Sequence, residues 1–91
     1  MKDIFNDFNH LAIPTANLNG TSKNQLVQNL CKAKGKIEEA REALSEVCPH
    51  MRDYSDNDTY QKARHEHNKR QEILENLSDE LYGLAIRIND K

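Results

Sequence analysis

Six residues in the second half of the chain carry side chains suited to holding a small anion: Arg52, Tyr54, Tyr60, Arg64, His67 and Arg70. Arginine presents a planar fork that matches phosphate or carboxylate, and tyrosine presents a face on which a nucleobase can stack. Together the six have the chemistry to hold a nucleotide-sized anion. The competing reading is local: Arg52 pairs with Asp53, Tyr54 closes a turn and Arg64 is solvated.

A second group lies upstream, where Asn19-Gly20-Thr21-Ser22 precedes Lys23. A helix start exposes unpaired N–H groups and the positive end of the helix dipole, which favour an anion. Asn19 and Thr21 therefore join the candidate ligand-binding residues, although the same residues suffice for an ordinary turn and cap. His50, His65 and His67 with Cys48 bring zinc to mind, but the spacing argues against it. His65 and His67 are two apart and point to opposite sides of a helix, and no CxxC or HExxH occurs. No metal, cofactor or catalytic residue is expected. Cys48 precedes Pro49, and nothing places a base beside it.

Two helices must position these side chains. Ser22 and Gln25 have capping-box spacing. Beyond them Leu26, Leu30, Ala33, Ile37, Ala40, Leu44 and Val47 alternate steps of four and three, a heptad seam. Pro49 fits the stop. The second seam runs through Tyr60, Ala63, His67, Arg70, Leu74, Leu77, Leu81, Leu84 and Ile88, again in threes and fours. The single domain, 1–91, then divides into an N-terminal arm over 1–20, a first helix over 22–47, a loop over 48–58 and a second helix over 59–88. Two heptad helices joined by so short a loop fold back antiparallel. A loop centred near Asp53 pairs residues whose numbers total about 107, so Ala40 faces His67 and Ile37 faces Arg70.

His67 and Arg70 thus occupy seam positions that leucine would fill better. A buried unpaired charge costs several kcal/mol. Arg70 therefore needs a carboxylate (Glu38, Glu66 or one from a partner chain), a bound anion, or a solvated seam end. The acidic run Glu38, Glu39, Glu42 and Glu46 reads as a solvated face. Cys31 and Cys48 are 17 residues apart on or just past one helix, roughly 25 Å at 1.5 Å per residue, beyond disulfide reach.

With 91 residues, 36% hydrophobic, 5% aromatic and no Trp, one copy has little material for a core. The arm, with Phe5, Phe8, Leu11, Ile13 and Leu18, is expected to cross the apolar open end, where Ile73, Tyr82, Ala85 and Ile86 widen the second helix. A second copy is expected to cover the rest. The expected fold class is all-α: an antiparallel two-helix hairpin with an N-terminal arm, oligomerising into a helical bundle. The net charge of −2 argues against general nucleic-acid binding, and no apolar run approaches the ~20 residues of a membrane span.

Three short stretches, Leu18-Asn19-Gly20-Thr21-Ser22, Arg52-Asp53-Tyr54, and Ala63-Arg64 with Glu66-His67, resemble motifs of a group of small helical proteins encoded in tailed-phage genomes. Their order and spacing cover roughly residues 18–88. The resemblance implies a phage accessory protein in the cytoplasm of an infected bacterium. Compact phage proteins of this size often counter host defences, either by blocking a host protein or by sequestering a nucleotide signal. The expected function is the second: a non-enzymatic homo-oligomer that binds a small anionic, nucleotide-like ligand. The alternatives are an inhibitor or adaptor that engages a host protein through a helix face, and a structural phage protein.

Overall fold

The computed structural model describes residues 11–14 and 22–90. Ser22 caps the first helix, α1 (Lys23–Ser45), its Oγ accepting from the Gln25 N–H at 3.1 Å. Only half of the expected capping box forms, because the Gln25 amide donates forward to Asn29 Oδ1 instead. At the other end the backbone tightens. Glu46, Val47 and Cys48 each donate to the carbonyl three residues back, and the Ser45 hydroxyl donates back to the Glu42 carbonyl at 2.7 Å. The helix therefore stops at Ser45, two residues before the expected end, and Pro49 prevents its resumption.

A single 3-10 turn spans Met51–Asp53. The second helix, α2 (Asn57–Asn89), starts two residues earlier than expected. Asp56 caps it, accepting from the Thr59 N–H and the Thr59 hydroxyl, each at 2.8 Å. Among the described residues all regular structure is helical, and α1 packs on α2. The pairs Lys34/Tyr82, Glu38/Ser78 and Arg41/Glu75 show that the helices run antiparallel, since one number falls as the other rises.

The register differs from the expected one. Those three pairs each total 116, and Gln71 with Arg41 totals 112, against the expected 107 or so. A given residue of α1 therefore sits five to nine residues further along α2. The reason is the path of the loop. It does not turn back at once. Residues 46–56 run beside the first three turns of α2, with Pro49 and Tyr54 against Ala63 and His67.

Both helices are also rolled about their axes relative to the heptad expectation. In α1 the half-buried positions include Leu30, Lys34, Ile37, Arg41 and Leu44, while Ala33 and Ala40 are exposed. In α2 Gln71 replaces Arg70 on the inner face, Ser78 replaces Leu77, and Ala85 is buried more deeply than Leu84. A polar layer thus lies between the helices at mid-length. Ser78 Oγ donates to Glu38 Oε1 at 2.7 Å and Gln71 Nε2 donates to the Arg41 carbonyl at 3.1 Å. Arg41 forms ion pairs with Glu38 and Glu75. Glu38 is consequently not part of a wholly solvated acidic face, nor the partner of Arg70.

The layer is incompletely satisfied: Arg41 Nε and Gln71 Oε1 are buried without a hydrogen-bond partner. Each such atom carries a desolvation cost of about 1–3 kcal/mol. Gln71→Leu is therefore expected to stabilise the hairpin by about 1–2 kcal/mol net, because it removes the orphaned oxygen and extends the apolar seam. A lower denaturant midpoint for this variant would show that the Gln71–Arg41 bond outweighs the orphan.

Ala85 and Ile88 are the buried hydrophobic residues among those described, with Ser78 and Gly83 buried beside them. Leu11 and Ile13 are half-buried. Phe5, Phe8 and Leu18, expected to anchor the arm, lie outside the described residues. Cys31 and Cys48 are free thiols, both exposed. No helix among the described residues is long and apolar enough to cross a membrane.

Candidate functional site

The irregular chain between the helices creates the site. A helix packed against a helix interdigitates closely, whereas the stretch after Ser45 leaves space on both sides of itself. On one side Tyr54, His67 and Arg70 line a cavity of about 340 Å³, together with Leu44, Val47, Pro49, Ala63 and Glu66. On the other, Tyr60 lines a cavity of about 540 Å³ with Ser45, Glu46, Cys48, Pro49, His50 and Met51. Pro49 contributes to both walls.

The expected ligand set is thereby divided. Tyr54, His67 and Arg70 converge on the first cavity. Tyr60 faces the second, and Arg64 stacks on it, the guanidinium carbon 5.8 Å from the ring centroid in a cation–π contact. The two groups still touch through their aromatic members, since the Tyr54 and Tyr60 centroids are 5.9 Å apart with the rings tilted at 50°. Arg52 sits exposed in the 3-10 turn and lines neither cavity. Asn19 and Thr21 lie outside the described residues.

Two polar side chains in the first cavity are unusual. His67 is only 6% exposed and makes no hydrogen bond among the described residues, but its ring nitrogens are not among the buried atoms that lack a partner. Arg70 is exposed and not buried in the seam, which among the alternatives fits a solvated position. The shift of register and roll put Gln71 inside and turn Arg70 to the rim. It forms no ion pair among the described residues, including with Glu66, which lines the same cavity. The cavity therefore holds a guanidinium with open donor positions, a buried imidazole and an aromatic face. Glu66 adds a carboxylate that disfavours a second anionic group at its end of the cavity.

The second cavity collects Cys48, His50 and Met51. Among the described residues no cluster of three or more His, Cys, Asp and Glu side chains has the geometry of a metal site. Sequence reasoning missed this cavity and the Leu44, Val47 and Pro49 wall of the first, because heptad counting carries no information on the path of an irregular segment.

Two carboxylates elsewhere are held ionised below their usual range. The Asp56 carboxyl is lowered from its ordinary value of 3.8, chiefly by the Thr59 backbone N–H and then by its hydroxyl. Glu38 is lowered from 4.5, chiefly by the Ser78 hydroxyl, with Arg41 and Lys34 adding to it against the opposing effect of burial. A carboxylate with a lowered folded value stabilises the fold above its unfolded value, and that contribution disappears as pH falls through the folded value. The melting temperature is thus expected to decline as pH drops below about 4.5. Asp56→Asn keeps a capping oxygen but no charge, and is expected to flatten part of that decline. An acid limb identical to that of the unaltered protein would exclude Asp56 as a contributor.

No family model matches the chain, and no curated protein and no solved structure matches it.

Proposed function

We propose that this chain is a non-enzymatic accessory protein of a tailed phage, self-associating in the cytoplasm of the infected bacterium, that binds and sequesters a nucleotide-derived signal. The observation that carries the ligand is His67, a side chain 6% exposed that makes no hydrogen bond among the described residues, lining a cavity beside Arg70, whose guanidinium forms no ion pair among them. Its ring nitrogens are not among the buried atoms left without a partner, so they reach the cavity surface, where a ligand can bond them. In this reading Arg70 takes a phosphate through its planar fork, Tyr54 stacks on the base, and His67 fixes orientation. The volume, about 340 Å³, falls at the lower end of the range for small-molecule sites. The phage context rests on the resemblance of the Arg52-Asp53-Tyr54 and Ala63-Arg64…Glu66-His67 stretches.

The test is a thermal-shift screen of purified protein against cyclic and linear nucleotides. A saturable rise in melting temperature with one class is expected. His67→Leu should leave the melting temperature of the free protein unchanged or raise it, and remove the ligand-dependent rise. If no nucleotide shifts the protein and His67→Leu destabilises it, the imidazole is a packing element and the sequestering function fails.

A second reading, an inhibitor or adaptor that engages a host protein through a helix face, is favoured by one observation: Ile73, at mid-helix in α2, is 65% exposed.

A further inference from the structure

We infer that a second copy of this chain packs on the face bearing Ala33, Ala40, Val47, Ile73 and Leu77, and that this copy closes the mouth of the His67/Arg70 cavity. The second clause rests on the ligand reading above; the first does not.

The two faces of the hairpin differ in chemistry. One edge carries Lys34, Glu38, Arg41, Glu75 and Tyr82, tied together by ion pairs and a cation–π contact. Helical periodicity puts Ala33 and Ala40 of α1, and Arg70, Ile73 and Leu77 of α2, on the opposite side. The cavity confirms that these sides coincide, because Val47 from the end of α1 and Glu66 and Arg70 from α2 line it together. On that side Val47 is 68% exposed, Ile73 65% and Leu77 42%. The residues step by threes, fours and sevens, which is a heptad seam without a partner helix, and the two alanines allow a close approach.

The roll of the helices gives the stronger argument. Turned slightly the other way, the hairpin would bury Leu77, Ala33 and Ala40. Instead it buries Ser78, half-buries Gln71 and Arg41, and leaves two polar atoms orphaned. For a monomer that arrangement sets local packing against burial, the kind of conflict that stable sequences avoid. For an assembly it is consistent: a polar layer lies within each hairpin at mid-length, and Val47, Ile73 and Leu77 are left for the contact between hairpins.

The dimensions agree with this. The extents are 61, 25 and 16 Å, so the hairpin is an elongated body, with no third helix packed across the pair among the described residues. The chain presents 7021 Å² of accessible surface, against about 5,400 Å² for a compact monomer of its mass. The excess of about 1,600 Å² exceeds the ~800 Å² per partner of a standard interface.

The cavity opens on this same face, with Arg70 at its rim. A copy seated across Ile73 and Leu77 also lies over Arg70, excludes water from the guanidinium and strengthens its hold on an anion. Ligand binding and assembly are then linked.

Sedimentation equilibrium across the micromolar range, combined with nucleotide thermal shift, tests both clauses. The full chain is expected to be at least a dimer, and Ile73→Glu with Leu77→Glu to be monomeric at the same helicity by circular dichroism. Tyr82→Glu, on the opposite edge, should assemble as the unaltered chain does. Ile73→Ser with Leu77→Gln serves if the charged pair misfolds, and should weaken association at least tenfold. A full chain that is monomeric throughout, or charged variants that still assemble, would overturn the interface. A monomeric variant that binds nucleotide as tightly as the unaltered chain would overturn the closing of the cavity. Arg70→Leu is expected to assemble normally without binding. Loss of assembly in the Ile73/Leu77 variants, with no nucleotide binding by the full chain, supports the interface and removes the ligand reading alone.

Discussion

Arg70→Leu is expected to abolish the nucleotide-dependent thermal shift and to leave the melting temperature of the free protein unchanged or slightly raised. The guanidinium lines the cavity and forms no ion pair among the described residues, so its removal strands no buried carboxylate. An exposed substitution away from special features usually changes stability by less than about 0.5 kcal/mol. A lost hydrogen bond to a charged group costs about 1.5–3 kcal/mol, or roughly 10- to 150-fold in affinity. Tyr54→Ala is the companion. Its ring lines the same cavity and also leans on Tyr60, so a loss of about 1–3 kcal/mol in binding is expected, with a smaller loss of stability from the broken ring contact. If Arg70→Leu instead melts much earlier than the unaltered protein, Arg70 is a structural partner of some carboxylate and the cavity loses its anion-binding group.

The largest effect on stability is expected at Ile88. This side chain is 4% exposed in the last turns of α2. Truncation to alanine removes buried methyl groups and leaves a void, at about 2–5 kcal/mol. A chain of this length has a total stability of about 5–14 kcal/mol, so Ile88→Ala takes away a large part of it. Ile73→Ala, the same change on the same helix, provides the internal control. For the isolated hairpin it is expected to cost little, because that side chain is largely exposed. Chemical denaturation at several protein concentrations distinguishes the two. The Ile88→Ala loss should be independent of concentration, whereas any loss at Ile73→Ala should appear only where the chain is assembled. Equal losses at all concentrations would mean that Ile73 is buried within the hairpin.

Several features were legible in the residues. The alternation of threes and fours from Leu26 to Leu44 and from Tyr60 to Ile88 requires two amphipathic helices. The Ser22 cap and the Pro49 stop mark the ends of the first, and the shortness of the intervening segment requires that they fold back on each other. These are local properties, set by backbone hydrogen bonding and by the period of the helix, and they do not depend on what lies opposite. Tyr54, His67 and Arg70 could be gathered at the loop end for the same reason, since a hairpin brings together residues equally far from its turn.

The register, the roll and the division of the site were decided by tertiary structure. A heptad seam wider than two residues per repeat has more than one apolar choice at each turn, and Leu77 competes with Ser78, and Ala40 with Arg41, for the inner position. Cross-helix bonds settle the competition: Ser78 to Glu38, Gln71 to the Arg41 carbonyl, and Arg41 to Glu75 hold the helices rolled toward their polar edge. That roll carries Arg70 out of the seam and to the rim of a cavity. The cavity exists because residues 46–56 continue alongside α2 as irregular chain instead of turning back at once. Hydrophobic period specifies which residues share a helix face. Where that face points, and what the loop leaves open beside it, depends on contacts between residues thirty to forty positions apart.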